Sequence, residues 1–222
     1  MLTVISRELG VISVCAYGVR SGKSKMKAAT QVLCLGDFVL AKKNSDFYRV
    51  ESVEIVESFY PICEDFEKLA LSGYFLEITK DVCSAEDGSA LSLLLNSLYV
   101  LAYKDIDMEL VKAVFEFKFA QLSGYEPQLD RCMSCGNDAG MYFDFQGGMV
   151  CPACKNGNCA VLLGGTLSAM RYILASDEKR LFSFEVSDEV KSQLAMVCEK
   201  YLADKMEKIY KSLEYYKKIR RM

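Results

Sequence analysis

The chain has 222 residues, of which 51% are apolar, and 27 basic against 30 acidic side chains leave a formal net charge of −3. This length suits one large domain or two to three small ones. The sequence contains no histidine, which excludes Ser-His-Asp and Cys-His nucleophile systems and any histidine ligand to zinc. Because no other nucleophile–base pair stands out, we expect a protein that is not an enzyme and has no small-molecule substrate.

The first 60 residues have the composition of β structure. Short runs rich in Val, Ile, Phe and Tyr follow one another closely, which is typical of a small β-barrel. The predicted strands are Leu2–Ser6, 11–17, 32–41 and 47–59.

This β segment is basic although the whole chain is acidic. Residues 1–49 carry eight basic and three acidic side chains, a net charge of +5. Four of these cations fall in one loop without acids, namely Arg20, Lys23, Lys25 and Lys27. Such a loop can follow a phosphate backbone, but a solvated surface is about equally consistent with it.

Four aromatic residues lie on the strands that adjoin this loop: Tyr17, Phe38, Phe47 and Tyr48. Exposed rings beside cations are what a protein that binds single-stranded nucleic acid uses to stack bases. Rings in a barrel are more often buried, so we expect most of the four to belong to the core.

Pro61 marks the point at which apolar residues begin to recur with helical spacing. The predicted helices include Ser89–Tyr103, Met108–Leu122, 166–174 and a long final helix that begins at Ser187 and continues through Ile209 and Leu213.

Charge is unevenly distributed over this helical part. Residues 64–119 carry a net charge of −6 and residues 200–222 one of +5, so an acidic middle precedes a basic end. The end includes a second basic patch, for which solvation of the terminus is slightly favoured over contact with DNA. The patch consists of Lys217, Lys218, Arg220 and Arg221.

The strongest chemical signal is a doubled Cys-x-x-Cys pattern. Cys132 and Cys135 are followed, after fifteen residues that suit a short hairpin, by Cys151 and Cys154. Two such turns can direct four thiolates at one point, and the spacing is that of zinc sites. A zinc ion bound by four thiolates has no open position for a catalytic water, so we predict a structural site. The alternative is two redox-active pairs or unrelated thiols.

The other six cysteines are scattered through apolar segments, as expected of buried thiols in a reducing compartment. They are Cys15, Cys34, Cys63, Cys83, Cys159 and Cys198. No signal peptide is visible, and the longest apolar stretch, residues 91–103, is too short and too polar to span a bilayer. We therefore expect a cytoplasmic protein without a membrane partner.

These features together predict an α+β multidomain chain. A β-barrel over residues 1–60 is followed by the first part of a helical domain (61–125), a zinc-binding insert with four cysteines (126–160) and the second part of the helical domain (161–222).

Several segments, in this order along the chain, resemble the RecO family of bacterial recombination mediators. The most specific matches are residues 115–127 (FEFKFAQLSGYEP), 129–136 (LDRCMSCG) and 143–154 (FDFQGGMVCPAC). Further matches are residues 3–10 (TVISRELG), 16–25 (AYGVRSGKSK) and 31–37 (QVLCLGD), together with Lys211 and Ser212. The resemblance covers nearly the whole chain.

The resemblance implies a non-enzymatic DNA repair role and an N-terminal barrel of the OB type. RecO proteins bind single- and double-stranded DNA and anneal complementary strands, including strands coated by single-stranded-DNA-binding protein. With RecR they help to load the RecA recombinase, so a nucleoid-associated protein is implied. The implied ligands of one structural zinc are Cys132, Cys135, Cys151 and Cys154. The implied phosphate contacts are Arg7, Arg20, Lys23, Lys25, Lys27, Lys42, Lys43 and Arg49.

Members of the family begin with one more strand, which this sequence does not include. The resemblance therefore implies either that the true start lies upstream or that this chain forms an incomplete or rebuilt barrel without its first strand. An incomplete barrel has an open edge. The alternative function is therefore a zinc-stabilised protein–protein adaptor without DNA binding. A third hypothesis, an enzyme that depends on a metal or a thiol, requires a Cys-x-x-Cys pair free of metal.

Overall fold

The computed structural model describes residues 1–17, 26–42, 47–85, 87–138 and 140–221. Its N-terminal part contains the strands β1 (Leu2–Ser6), β2 (Gly10–Cys15), β3 (Leu35–Lys42) and β4 (Tyr48–Glu57). They form one sheet in the spatial order β1-β2-β4-β3. Among the described residues this sheet is open, so the closed barrel stays a prediction.

Pairing within this sheet is antiparallel except at its centre. β1 and β2 form a hairpin in which Leu2 faces Val14, and β3 runs antiparallel to β4. β2 and β4 are parallel, with Cys15 beside Arg49, and Arg49 also faces Ala41 of β3. Three strands therefore meet at one end of the sheet, with Arg49 between its two neighbours.

The turn between β1 and β2 attaches the sheet to the helical part. Gly10 has a φ of 63°, a left-handed conformation that suits glycine, and a Cβ there would lie 3.1 Å from the backbone nitrogen of Ala85. Ile5 and Leu35 pack against the large hydrophobic core formed by the helices. The sheet is thus anchored by a close backbone contact and by apolar packing.

Seven helices make up most of the rest of the described chain. They are α1 (Tyr60–Cys63), α2 (Phe66–Val82), α3 (Ser89–Tyr103), α4 (Met108–Leu122), α5 (Gly164–Ala175), α6 (Asp188–Met206) and α7 (Lys211–Ile219). The predicted bounds of α3 and α4 are those observed. Side-chain caps explain several of the starts, since Asp65 accepts hydrogen bonds from the N–H groups of Glu67 and Lys68. Asp107 and Ser187 cap α4 and α6 in the same way.

The core is centred on α4, which is buried on almost every side. Val111, Phe115 and Phe119 are fully enclosed, and the Phe115 ring stacks on that of Phe75 from α2 with centroids 4.0 Å apart. α4 also packs against α3, α5 and α6. Across the described residues, no helix combines the length and the apolarity that spanning a bilayer requires.

The final helix is not continuous, contrary to the prediction. α6 ends at Met206, Glu207 adopts a left-handed conformation with a φ of 48°, and α7 begins at Lys211. Ile209, which the sequence pattern assigns to the apolar stripe of one long helix, is 80% exposed in this turn. Tyr210 is buried instead, because α7 folds back onto α2.

The insert between α4 and α5 carries a three-stranded sheet where the sequence predicts a two-stranded hairpin. Its strands are β5 (Tyr142–Asp144), β6 (Gly148–Val150) and β7 (Cys159–Val161), in the order β6-β5-β7. The sequence pattern does not reveal the third strand, because three residues are too few to show a period. Phe143, Phe145 and Met149 belong to the same hydrophobic core as the helices.

The six scattered cysteines are less buried than predicted. Cys83 and Cys198 are buried, and three others are half-buried. Cys63 is exposed at the end of α1, so the prediction is wrong for this residue. Cys159 lies in β7 and packs against the cluster around Cys132.

Candidate nucleic-acid surface and metal centre

Four of the eight predicted phosphate contacts lie in the described residues: Arg7, Lys27, Lys42 and Arg49. All four side chains are exposed. The other four predicted contacts lie outside the described residues: Arg20, Lys23, Lys25 and Lys43.

Lys42 and Arg49 lie at the end of the sheet where β3 ends and β4 begins, and each stands over an aromatic ring. The guanidinium carbon of Arg49 is 5.4 Å from the centroid of the Tyr17 ring. Lys42 Nζ is 5.7 Å from the centroid of the Tyr48 ring. The negative face of a ring attracts a cation. This end of the sheet therefore presents positive charge together with aromatic surface.

The expectation that most rings of the sheet belong to the core is wrong. Tyr17 is 65% exposed and Phe47 is 45% exposed, while Phe38 and Tyr48 are half-buried. The smaller Val14 is fully buried in their place. Among the described residues the four-stranded sheet is open and encloses less volume than a barrel, which leaves the rings at this end in contact with solvent.

Arg7 lies apart from this pair of cations. It stands in the turn between β1 and β2, at the far end of β2 from the Cys15–Arg49 pairing. The length of β2 separates the two positions by about 17 Å at the usual rise per residue. The Arg7 side chain lies over Gly88, the residue before α3. The structure therefore brings Lys42 and Arg49 together and leaves Arg7 beside the helical part.

The four predicted metal ligands meet in space, with all four Sγ atoms within 4.8 Å of one another. Cys132 and Cys135 come from the turn that precedes β5. Cys151 and Cys154 come from the turn that follows β6, so the hairpin brings the two pairs together. Each turn is closed by a backbone hydrogen bond, from Gly136 N–H to the Cys132 carbonyl and from Cys154 N–H to the Cys151 carbonyl.

The geometry of this cluster fits a tetrahedral zinc ion. Zinc–sulfur bonds of about 2.3 Å place the sulfurs of a tetrahedral site about 3.8 Å apart, and the Cys135 and Cys151 sulfurs are 3.8 Å apart. Hydrogen bonding, chiefly from the backbone N–H of Cys151, lowers the pKa of Cys132 to about 6. Hydrogen bonding with the other three sulfurs, first that of Cys151, raises the pKa of Cys154 to about 12, so binding of a metal ion has to displace the proton of Cys154. Thiolates are soft donors that suit zinc. The four cysteines can therefore hold one metal ion in a closed coordination shell.

Lysines over the rings of the insert were not predicted. Lys155 Nζ is 4.7 Å from the centroid of the Tyr142 ring. Lys200 Nζ, from α6, is 3.9 Å from the centroid of the Phe145 ring. Because Lys200 and Phe145 are far apart in the sequence, no local pattern could reveal their contact.

The predicted basic patch at the C-terminus is partly neutralised. Lys217 forms an ion pair with Glu199. Arg220 forms one with Glu109, with a nitrogen–oxygen distance of 3.1 Å. Two of its four cations therefore have structural partners on α6 and α4.

The fold and the two sites define an α+β protein that joins a cation-bearing β-sheet, a helical body and a cluster of four cysteines that can hold a metal ion. The family model described as "Recombination protein O N terminal" matches residues 1–59. The model described as "Recombination protein O C terminal" matches residues 63–214. The chain belongs to the RecO family of DNA repair and recombination proteins.

Three proteins named DNA repair protein RecO illustrate the similarity. The one from Acetivibrio thermocellus is 36% identical over 229 residues, which cover 100% of this chain and 91% of the relative. The one from Alkaliphilus metalliredigens is 30% identical, over 99% of this chain and 92% of the relative. The one from Caldicellulosiruptor saccharolyticus is also 30% identical, over 99% of this chain and 91% of the relative.

Proposed function

We propose that the chain is a non-enzymatic mediator of DNA repair and recombination that binds single- and double-stranded DNA. The observation that carries this proposal is the end of the N-terminal sheet at which two exposed cations stand over aromatic rings. Phosphates pair with such cations regardless of sequence, and exposed ring faces stack on bases. A surface of this kind accepts any strand.

Contacts of this kind suit the annealing of complementary strands. Two single strands repel each other, and a cationic surface that holds both lowers this barrier. Contacts without sequence preference let the strands search for register, after which base pairing supplies the net free energy. We further propose that the sheet is part of an OB-type barrel, and that the chain acts on strands coated by single-stranded-DNA-binding protein. With RecR it then helps to load the RecA recombinase.

We propose a structural role for zinc in the insert. The ligands are Cys132, Cys135, Cys151 and Cys154. Four thiolates leave no coordination position for water or substrate, so the ion carries out no chemistry. Because the hairpin between the two cysteine pairs packs into the main core, zinc supports the helical body as well as the insert.

Fluorescence anisotropy of a labelled single-stranded oligonucleotide, titrated with the chain at low and moderate salt, tests the DNA-binding proposal. We expect binding that weakens steeply with salt, because each phosphate contact releases counterions. The variant Tyr17→Ala/Arg49→Ala should bind at least about tenfold more weakly, since one stacked base contributes about 1–3 kcal/mol. Tyr60→Ala/Arg180→Ala is the matched control, because it removes an equally exposed tyrosine and an exposed arginine elsewhere.

If the folded chain binds no DNA at low salt, the proposal fails and the zinc-stabilised protein–protein adaptor becomes the better candidate. An equal loss of affinity in the control variant would mean that the end of the sheet is not part of the DNA-binding surface.

A further inference from the structure

A second basic surface lies on the helical part, in a groove between α4, α6 and α7. The groove has a volume of about 550 Å³. Its charged lining residues are Lys112, Lys200, Lys217, Arg220, Arg221, Glu109 and Glu199. Five cations face these two carboxylates and the buried Glu116, which pairs with Lys112, so the groove remains positive although α4 belongs to the acidic middle of the chain.

Two of these cations are available to a ligand. The two carboxylates are already engaged by the other three cations. Across the described ranges of the chain, no carboxylate forms an ion pair with Lys200 or Arg221, and both side chains are exposed. Lys200 instead lies over the Phe145 ring, with its Nζ 3.5 Å from Asn158 Oδ1. These neutral contacts hold the lysine in place and leave its charge uncompensated.

Tyr216 adds an unused hydrogen-bond donor to the same groove. It lines the groove and is 1% exposed, and its hydroxyl has no hydrogen-bond partner in the part of the chain that the structure describes. Burial raises the pKa of Tyr216, so the hydroxyl stays protonated at neutral pH. A buried hydroxyl without a partner is costly, and an acceptor oxygen of a bound ligand would satisfy it.

We propose that this groove is a second phosphate-binding surface, which holds one DNA strand while the N-terminal sheet holds another. The inference rests on the proposed function and deepens it, because a chain with two strand-binding surfaces can bring complementary strands together by itself. Lys200 and Arg221 pair with phosphate oxygens, and Tyr216 donates a hydrogen bond to a further oxygen. Contacts to phosphate carry no sequence information, as annealing requires.

The test counts the strands bound by each chain, with a labelled oligo-dT of about 12 nucleotides, a length within the range of one single-strand site. In sedimentation at low salt, we expect two strands on the wild-type chain and one on Lys200→Glu/Arg221→Glu. The same variant should anneal complementary strands about tenfold more slowly, because it loses two phosphate contacts. Lys179→Glu/Arg180→Glu makes the same charge change in an exposed turn outside the groove. This control should keep both the stoichiometry and the rate.

Tyr216→Phe separates a ligand contact from a structural defect. If the hydroxyl binds phosphate, its removal slows annealing severalfold while the melting temperature stays the same or rises. An unchanged annealing rate in this variant would mean that the Tyr216 hydroxyl does not contact the bound strand, and would overturn that part of the proposal.

Two strands on Lys200→Glu/Arg221→Glu, or equal losses in the charge-matched control, would overturn the whole proposal. The proposal would also be overturned if a labelled polyglutamate peptide bound the wild-type chain but not Lys200→Glu/Arg221→Glu, while this double variant annealed DNA at the normal rate. The groove would then bind an acidic protein partner. If the wild-type chain binds no strand at all, the proposed function itself fails, and this result is distinct from the loss of one strand out of two.

Discussion

Lys112 and Glu116 stand one turn apart on α4 and form an ion pair, with a nitrogen–oxygen distance of 2.8 Å, that the fold almost completely buries. Glu116 also accepts a hydrogen bond of 2.8 Å from the Tyr74 hydroxyl of α2. Lys112 in turn reaches Glu199 of α6. Burial raises the pKa of Glu116, and the neighbouring ammonium opposes this effect. The pair therefore links three helices, and its lysine also lines the basic groove.

Replacement of Lys112 by methionine should destabilise the protein strongly. The substitution keeps an apolar stem of similar length but leaves Glu116 buried without its cation, which costs about 3–5 kcal/mol. Urea unfolding followed by circular dichroism measures this loss. Lys191→Met is the control, because its ion pairs with Asp107 and Asp188 are more exposed and should contribute little to stability.

The loss of unfolding free energy caused by Lys112→Met should depend on pH in a direction that can be predicted. Without the ammonium, the pKa of Glu116 in the folded state lies above its unfolded value, so folding favours the protonated carboxyl. The loss of unfolding free energy is therefore smallest in acid, below the unfolded pKa, and grows as the pH rises above it. An equal loss at acid and neutral pH would contradict an unpaired buried carboxylate.

Removal of one thiolate should affect the whole helical body. Cys135→Ser takes away a predicted zinc ligand, and the insert shares the main core through Phe143, Phe145 and Met149. We expect the zinc content, measured by mass spectrometry of the element, to fall, and the melting temperature of the helical signal to fall with it. Cys63→Ser changes an exposed cysteine outside the cluster and should leave both unchanged.

A Cys135→Ser chain that keeps its zinc would contradict the assignment of this ligand. Loss of zinc at an unchanged melting temperature would contradict the proposed support of the helical core.

The cation and the aromatic ring at the end of the N-terminal sheet should affect the salt dependence of DNA affinity differently. Arg49→Gln should reduce the slope of log affinity against log salt by about 0.7, the value for one phosphate contact to a single strand. Tyr17→Ala should weaken binding by about 1–3 kcal/mol without changing the slope, since stacking releases no counterions. Anisotropy titrations at several salt concentrations measure both quantities. Equal slopes for wild type and Arg49→Gln would mean that this arginine contacts no phosphate.

Features set by local sequence could be predicted closely. The helix Met108–Leu122 starts where Asp107 caps it and ends before Gly124, whose φ of 86° requires a left-handed turn. The sulfur cluster also follows from local spacing, because each Cys-x-x-Cys turn is short and one hairpin joins the two turns. In both cases the determining contacts lie within one helix end or one short hairpin.

Features set by distant contacts could not be predicted. The chain turns at Glu207 because Tyr210 packs edge-on against Tyr74, with ring centroids 5.8 Å apart, and no pattern within α6 reveals this partner. The exposure of Tyr17 depends on how far the sheet closes, which composition does not determine. The basic groove between α4, α6 and α7 exists only because α7 folds back onto α2.

Gly148 is the first residue of β6, the strand that leads to the predicted metal ligand Cys151, and it lies against the backbone of Gln128. Its φ is 151°, and a Cβ there would lie 2.8 Å from the backbone nitrogen of Gln128 and closer still to the carbonyl oxygen of that residue. The same carbonyl accepts a hydrogen bond of 2.7 Å from Met149 N–H. We expect Gly148→Ala to lower the unfolding free energy by about 2–4 kcal/mol. It should also reduce zinc content, because β6 leads directly into Cys151.

Gly147→Ala is the matched control for this prediction. Its added methyl group would meet only the flexible side chain of Met133, at 3.5 Å, so stability and zinc content should stay near the wild-type values. Equal destabilisation by the two variants would mean that the turn resists any side chain and that the contact with Gln128 is not the cause. Loss of zinc in Gly148→Ala without loss of stability would mean that this backbone contact positions the ligands but does not support the core.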